Sequence, residues 1–360
     1  MTVTPTRAKR AELHLRTAPE CRRGPLAAPR QGTRLSPRLA PALVVLIALL
    51  TLSLFWPAAA AADGPVTPTA TNYLARVTRA PAGVDAKVVD GYLNLWMQAP
   101  AGENVVVRDF EGAPWVRFDR AGVQVNHNSQ EYYLSQVPVP ASPPSGLKRT
   151  TRPHWFSVSS GHTYMWREGR IHALATIALP PGTNYVGRWS IAMTVNGSAE
   201  TLVGKLWHTG PPSILWFWPI IVFLSCALAA WRVRSPELDR RLGRTVTLTL
   251  LGLIAIGMAA RYLHGRPGIS VGNVILLLVI LAVLGAAAAR VLSGRSGLPL
   301  LLATAVVALW AGLTLITVLT HGYVLLAVPA LVARSVTAAL LGGSLSLALI
   351  GVRALDRVAV

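Results

Sequence analysis

Cysteine is scarce in this chain of 360 residues. The two cysteines are Cys21, in a basic N-terminal segment, and Cys226, inside an apolar segment. Neither lies in segment 63–212, so a disulfide framework is excluded there. With about 150 residues, this segment is long enough to be stabilised by a hydrophobic core of its own.

Motifs of catalytic and nucleotide-binding sites are also lacking. The sequence contains no G-x-x-x-x-G-K-[ST], G-x-S-x-G, H-E-x-x-H or C-x-x-C. An S-x-x-K match at Ser145–Lys148 follows two prolines in a predicted loop and has no S-D-N or K-T-G partner. We therefore expect a protein that is not an enzyme.

Charge is low and unevenly distributed. Charged residues make up 14% of the chain and hydrophobic residues 52%, and the mean hydropathy is +0.46, which is typical of a membrane protein. Of the net charge of +19, segments 1–62 and 213–360 carry +7 and +9, whereas segment 63–212 carries +3. Because the excess flanks apolar segments, we predict a lipid bilayer as the partner, and no nucleic acid.

One apolar segment orients the second half of the chain. Ile214–Trp231 is about one bilayer crossing long, since a hydrocarbon core needs about 20 helical residues. Arginines clustered beside a span mark its cytoplasmic end. Those that follow this span are Arg232, Arg234, Arg240, Arg241 and Arg244. We therefore predict that the residues before Ile214 lie outside the cytoplasm.

The N-terminal segment has the features of an export signal. Residues 1–39 are rich in Arg, Pro and Ala and predict a disordered basic leader. Residues 40–62 contain an apolar run, Ala40–Trp56, and a string of small residues, Ala58–Ala62. This pattern predicts either a cleaved signal peptide or a retained signal anchor. Both alternatives place residue 63 outside the cytoplasm.

Segment 63–212 shows the alternation of short strands. Its clearest part is Trp189–Trp207, where apolar and polar residues alternate up to Asn196-Gly197, a pair that favours a hairpin turn. Short strands separated by Gly, Pro, Asn and Asp predict an all-β, immunoglobulin-like sandwich. The other predicted strands are Tyr73–Thr78, Tyr92–Gln98, Asn104–Asp109, Trp115–Phe118, Gly122–Val125, Trp155–Val158 and Thr163–Trp166.

Segment 213–360 predicts an all-α transmembrane bundle of about five helices. Positive charge falls mostly at the ends that alternation makes cytoplasmic, which places the C-terminus inside. No Asp or Glu lies within a span, so a proton relay lacks its usual carboxylates. The predicted spans are 213–231, 245–263, 269–289, 298–319 and 323–352.

Arg334 is the one charged residue whose depth depends on where the last span begins. If this helix begins near Tyr323, Arg334 lies deep in the bilayer, and an intramembrane charge is a candidate for function, such as transport. If the helix begins near Val336, the segment before it is an apolar outer segment interrupted by Pro329. Arg334 then extends to the outer interface.

Histidines and methionines in segment 63–212 raise the alternative of copper handling, since copper accepts imidazole and thioether ligands. The sequence has no H-x-H or H-x-x-x-H pair, so the spacing predicts no preformed site. Chain folding would have to bring together His154, His162 and His172. We expect no cofactor, with copper as the alternative.

A polar turn between two predicted strands is the candidate binding surface. It consists of Arg167, Glu168, Arg170 and His172, and we expect it to be exposed. The leading hypothesis is a multi-pass, non-enzymatic cell-membrane protein. In this hypothesis the extracytoplasmic sandwich binds an envelope protein or ligand.

Several segments form a recognisable set: Asp90-Gly91, FEGAPWVRF at Phe110–Phe118, Tyr164–Trp166 and the hairpin Trp189–Trp207. These segments, of which FEGAPWVRF is the most specific, resemble an uncharacterised membrane-protein family of high-GC Gram-positive bacteria. The resemblance implies an exported immunoglobulin-like domain on a multi-helix anchor. The closing hairpin is also similar to that of periplasmic copper-binding sandwiches, a similarity of fold.

The chain departs from this family around Trp166. The family pattern is W-H-D-H-R-x-H-W, whereas residues 166–173 read WREGRIHA. Two of three histidines are replaced, by Arg167 and Gly169. If that turn binds metal in relatives, most of its ligands are missing here.

Overall fold

The computed structural model describes residues 68–136, 140–172, 183–233, 235–264, 268–295 and 297–356. A region rich in β-sheet extends over residues 70–208, and a helical region follows it. The prediction of a β domain followed by a helical domain is therefore confirmed. The predicted leader, 1–39, and signal segment, 40–62, lie outside the described residues.

The described part of the β region contains eleven strands, one short α-helix and one 3-10 turn, Gly169–Ile171. The predicted strands overlap β2 and β4–β11, whereas the sequence pattern does not predict β1 and β3. The bounds are β1 Ala70–Thr71, β2 Tyr73–Arg79, β3 Asp85–Val89, β4 Asn94–Gln98, β5 Val105–Arg108, β6 Pro114–Asp119, β7 Gly122–Asn126, α1 Gln130–Leu134, β8 Trp155–Ser159, β9 Thr163–Arg167, β10 Tyr185–Val195 and β11 Ser198–His208.

Two antiparallel sheets share one hydrophobic core. The larger sheet has the order β2-β11-β10-β5-β6-β7-β8 and the smaller has the order β3-β4-β9. Leu95 and Trp166 of the smaller sheet are buried in the same cluster as Trp115, Phe118 and Ile191 of the larger one. Alternating strand residues supply this cluster, as expected for sheets with one buried face.

The predicted hairpin is confirmed. Strands β10 and β11 pair from Tyr185 to Val195 and are joined by Asn196 and Gly197. Their φ angles are 50° and 84°, the positive values that a two-residue turn of type I′ requires.

Among its described residues, the helical region has three helices long and apolar enough to cross a membrane, Pro236–Tyr262, Val271–Leu292 and Ala330–Arg353. Two further apolar helices are shorter, Ile214–Ala230 and Leu298–Thr314. The described elements are a 3-10 turn Ile214–Phe217, α2 Trp218–Arg232, α3 Pro236–Tyr262, α4 Val271–Leu292, α5 Leu298–Thr314, α6 Thr317–Thr320, β12 Tyr323–Val324 and α7 Ala330–Asp356. Of the five predicted spans, three therefore correspond to described helices that are long enough to cross a membrane, and two correspond to shorter helices.

The predicted helix over 323–352 is wrong at its start. Helix α7 begins at Ala330, because Pro329 fits just before a helix and accepts a hydrogen bond from the Ala333 N–H at 3.0 Å. Residues Tyr323 and Val324 form β12 instead, which pairs with β1.

Helix α7 packs against α2, α3 and α5 along a row of glycines. A Cβ on Gly342 would lie 2.8 Å from Cβ of Phe223 in α2, and one on Gly343 would lie 2.9 Å from Cδ2 of Leu250 in α3. Ser346 also donates a hydrogen bond to the Phe223 carbonyl oxygen at 3.1 Å. Close approach of helix backbones at small residues is a common mode of packing in membranes.

We expect Gly342→Ala to destabilise the protein in detergent by about 1–3 kcal/mol, because the added methyl group overpacks the contact with α2. Gly285→Ala is the matched control, since nothing lies within 4 Å of a Cβ built there. Thermal unfolding followed by size-exclusion chromatography compares the two. An equal Tm for both variants would contradict the packing described.

Candidate functional site

The candidate site lies at the end of the β region where the chain continues into the helical region. In the antiparallel register, Tyr73 pairs with His208 and Tyr185 with Trp207. The ladders from β10 through β8 place Arg108, Pro114, Asn126 and Trp155 at this same end. We call it the helix-proximal end.

A buried ion pair occupies this end. Arg170 donates from Nε to Oε1 of Glu168 at 2.7 Å and from Nη2 to Oε2 at 2.8 Å, a bidentate geometry. Trp166 Nε1 donates to the same carboxylate at 3.0 Å. Glu168 is 0% exposed. Removing one partner of such a pair costs about 3–5 kcal/mol, because the other charge stays buried.

The turn between β5 and β6 covers Arg170. Arg170 Nη1 donates to the Arg108 carbonyl oxygen at 2.7 Å, and its guanidinium lies 5.3 Å from the centre of the Phe110 ring. Asp109 shapes this turn, because its Oδ1 accepts hydrogen bonds from the N–H groups of Glu111 and Ala113. The first four residues of FEGAPWVRF, Phe110–Ala113, therefore belong to the turn over the buried arginine, and the rest lie in β6.

A third carboxyl group, Glu131, completes the cluster. It is 1% exposed, and its Oε2 has no hydrogen-bond partner among the described residues. Its pKa is raised from the ordinary 4.5 to about 8, chiefly by burial and then by the nearby Glu168, while Arg170 opposes the shift. Ser129 links the elements, since its hydroxyl donates to Asp109 at 2.8 Å and accepts from the Glu131 N–H.

The expectation of an exposed polar turn is wrong for two of its four residues. Glu168 is fully buried, and the side chain of Arg170 is 11% exposed. Arg167 and His172 are half-buried. Burial lowers the pKa of His172, and the Nε2 of its neutral ring donates to the Leu93 carbonyl oxygen at 2.9 Å. Ligand binding by this turn stays a prediction.

The structure does not bring the three candidate copper ligands together. His162 precedes β9 and His172 follows it, so the whole strand separates them. His154 instead lies beside His127 and Phe156, with ring centres 6.2 and 4.5 Å away. Among the described residues, no group of three or more His, Cys, Asp or Glu residues is placed to hold a metal ion.

Arg334 lies at the junction between the two regions. It is the fifth residue of α7, and its guanidinium donates to the carbonyl oxygens of Val318, His321 and Gly322 at 3.2, 3.3 and 3.0 Å. It also lies 5.9 Å from the centre of the Trp216 ring. The helix start at Ala330 agrees with neither predicted alternative. A role of Arg334 in transport stays a prediction.

Strands β1 and β12 join the β region to the helices. Ala70 pairs with Val324 and Thr71 with Tyr323, and the Leu325 N–H donates to the Thr69 carbonyl oxygen at 2.8 Å. The hydroxyl groups of Thr69 and Thr317 are 2.6 Å apart. Ala70 is buried in the core of the helical region.

Asn72 forms hydrogen bonds with two further segments of this junction. Its Oδ1 accepts from the Gly322 N–H at 2.9 Å, and its carbonyl oxygen accepts from the Thr209 N–H at 2.9 Å. A Cβ on Gly322 would overlap Thr209 and Gly210, so only glycine fits there. The connection from β1 to β2 therefore fixes both the linker after β11 and the turn before α7.

Sequence reasoning missed Asp109, Ser129, Glu131 and Asn72. The local signal for Asp109 is the D-F-E-G turn, and the signal for Ser129 is a serine at a helix N-cap, with Glu131 in the first turn of that helix. No local signal shows that these residues meet Arg170. No signal in the sequence distinguishes Asn72 from an ordinary turn residue.

Comparisons of the chain with protein-family models, curated proteins and solved structures found no match. The resemblance to a bacterial membrane-protein family therefore stays a prediction.

The raised pKa of Glu131 predicts that stability falls as pH rises. The unfolded carboxyl group loses its proton near pH 4.5 and the folded one near pH 8, so unfolding releases a proton between these values. We expect the Tm in detergent to fall between about pH 5 and pH 8, and Glu131→Gln to remove most of this slope. Thermal unfolding followed by circular dichroism at each pH measures the dependence of Tm on pH. Equal slopes for the two proteins would show that Glu131 titrates normally.

Proposed function

We propose that this protein is a non-enzymatic membrane protein that holds its β region at the extracytoplasmic surface for binding an envelope protein. The observation that carries the proposal is the junction. The β region is attached through the linker 209–213 and also through the β1–β12 ladder, Asn72 and the pair Thr69–Thr317. Attachment at several points fixes the orientation of a domain, whereas a single flexible linker does not.

The distribution of arginines supports an extracytoplasmic β region. One end of the described helices carries Arg232, Arg240, Arg241, Arg244, Arg290, Arg295 and Arg353. Arg353 donates to the Ala230 carbonyl oxygen at 2.8 Å and lies 3.3 Å from Asp239, and Arg244 donates to the Leu292 carbonyl oxygen. The β1–β12 ladder lies at the opposite end. The positive-inside rule makes the arginine-rich end cytoplasmic, with the C-terminus.

We propose an immunoglobulin-like arrangement for the β region. The order β11-β10-β5-β6-β7 corresponds to the G-F-C-C′-C″ order of variable-type domains, and the pair β4–β9 corresponds to B–E. Strand β8 departs from this scheme. It occupies the chain position of strand D but pairs with β7 rather than with β9.

The edge strand β8 is the proposed binding surface for the partner. It ends the larger sheet, and Phe156 and Val158 are 41% and 46% exposed. An unprotected edge with exposed apolar side chains pairs readily with an extended segment of another protein. The rings of His127 and Phe156 stack 3.8 Å apart, which holds the start of this strand in place.

Cysteine labelling in intact cells tests the orientation. In a variant without Cys21 and Cys226, we expect Ala82→Cys to react with a membrane-impermeant maleimide, because residue 82 is exposed in the β region. Ser293→Cys, exposed at the arginine-rich end, is the matched control and should react only after the cells are opened. The reverse pattern would overturn the proposed orientation.

Photo-crosslinking in living cells tests the proposed binding surface. A photoreactive residue at Val158 should give one adduct with an envelope protein, identified by mass spectrometry. Ala192, exposed on the interior strand β10, is the control position and should give none. Equal adducts at both positions, or none along β8, would contradict partner binding at this edge.

A further inference from the structure

Apart from Phe156 and Val158 on the edge strand β8, the exposed large apolar side chains of the described β region lie at its helix-proximal end. Phe110, Leu134 and Tyr185 are 50%, 38% and 47% exposed, and each lies in a turn, in α1 or at the first residue of a strand at this end. The described turns at the opposite end expose no large hydrophobic residue. These turns are 80–84, 99–104, 120–121, 160–162 and 196–197.

Positive charge accompanies these apolar groups. The segment 140–153 contains Lys148, Arg149 and Arg152, all exposed, and no acidic residue. One exposed acid, Glu111, lies in the neighbouring turn. The opposite end carries both signs, for example Arg79 and Asp85.

The basic segment and the apolar groups form one continuous surface. A Cβ on Gly112 would lie 3.3 Å from Nε of Arg149, so this arginine covers the turn that carries Phe110. The Ala141 N–H donates to the Tyr133 carbonyl oxygen at 2.9 Å, which ties the segment to α1 beside Leu134. Asn128 Nδ2 donates to the Arg152 carbonyl oxygen at 2.9 Å.

The chain connections direct this surface toward the membrane. Both β1 and the linker 209–213 enter the helical region from the helix-proximal end, and three of the helices are long enough to cross a bilayer. Aromatic rings favour the boundary between lipid and water, and Lys and Arg side chains are attracted to anionic headgroups.

We propose that the helix-proximal end of the β region binds anionic phospholipid headgroups, with Lys148, Arg149 and Arg152 as the charged contacts. Leu134 and Phe110 enter the boundary between headgroups and acyl chains. The inference rests on the membrane insertion of the helices that the proposed function assumes, but it needs no protein partner. The contact explains why segments at this end expose large apolar side chains, whereas the described turns at the opposite end do not.

Spin labels on the full chain in nanodiscs test the contact. In a variant without Cys21 and Cys226, labels are placed at Leu134→Cys, at Ser145→Cys and, as the distal control, at Ala82→Cys, which is exposed between β2 and β3. Accessibility to a water-soluble paramagnetic nickel complex is measured in phosphatidylcholine discs with and without phosphatidylglycerol. We expect phosphatidylglycerol to reduce accessibility at 134 and 145 by about twofold or more and to leave position 82 unchanged.

The charge variant Lys148→Gln, Arg149→Gln and Arg152→Gln should remove this reduction, and high salt should weaken it. An unchanged spectrum at position 82 shows that the variant is folded. The proposal is overturned if positions 134 and 145 stay as accessible as position 82 in phosphatidylglycerol discs. It is also overturned if they are shielded equally without anionic lipid or in the charge variant. Since the discs contain no partner protein, each result is independent of crosslinking at Val158.

Discussion

The hydrogen bonds between residues 69–72 and residues 317–325 are the constraint on which the rest of the structure depends. They make a short piece of the β region part of the helical core, where Ala70 is buried. Arg334 fixes the other side of the junction, because its guanidinium holds the carbonyl oxygens of Val318, His321 and Gly322. A net contribution of about 0.5–1.5 kcal/mol for each hydrogen bond is enough, summed over the junction, to favour one orientation.

The buried charges at the helix-proximal end follow from the same arrangement. Arg170 and Glu168 are buried at the helix-proximal end of the β region. Their bidentate pairing offsets the free-energy cost of removing both charges from water. Glu131 adds a carboxyl group whose raised pKa keeps it uncharged at neutral pH. The cluster therefore supports the turn that carries Phe110 and the helix that carries Leu134, the two apolar groups of the proposed lipid contact.

Local chemistry made part of the structure predictable from the sequence. The pair Asn196-Gly197 predicted a hairpin because both positions accept positive φ, and apolar alternation predicted the strands around it. Long apolar runs predicted α3 and α4, although two of the five expected spans are short helices in the structure. Pro329 marked the interruption just before the helix, and the pairing of β12 with β1, which no local pattern predicts, explains why Tyr323 and Val324 are extended.

The remaining features depend on contacts between distant parts of the chain. Asn72 and Gly322 are 250 positions apart, and neither residue type identifies a partner. The polar residues in segment 167–172 favoured the prediction of an exposed turn, since Arg and Glu are rarely buried unless they are paired. The pairing itself depends on segments 109–113 and 129–131, which the sheet topology brings together.

Disulfide formation between Ala70→Cys and Val324→Cys, in a variant without Cys21 and Cys226, tests the junction most directly. The two positions face each other across the ladder, and a mass-tagged maleimide distinguishes paired from free thiols in intact cells. We predict that this pair oxidises readily and is tagged only after reduction, whereas Val324→Cys with Ala82→Cys stays free. Free thiols at positions 70 and 324 after oxidation would contradict a β region fixed on the helices.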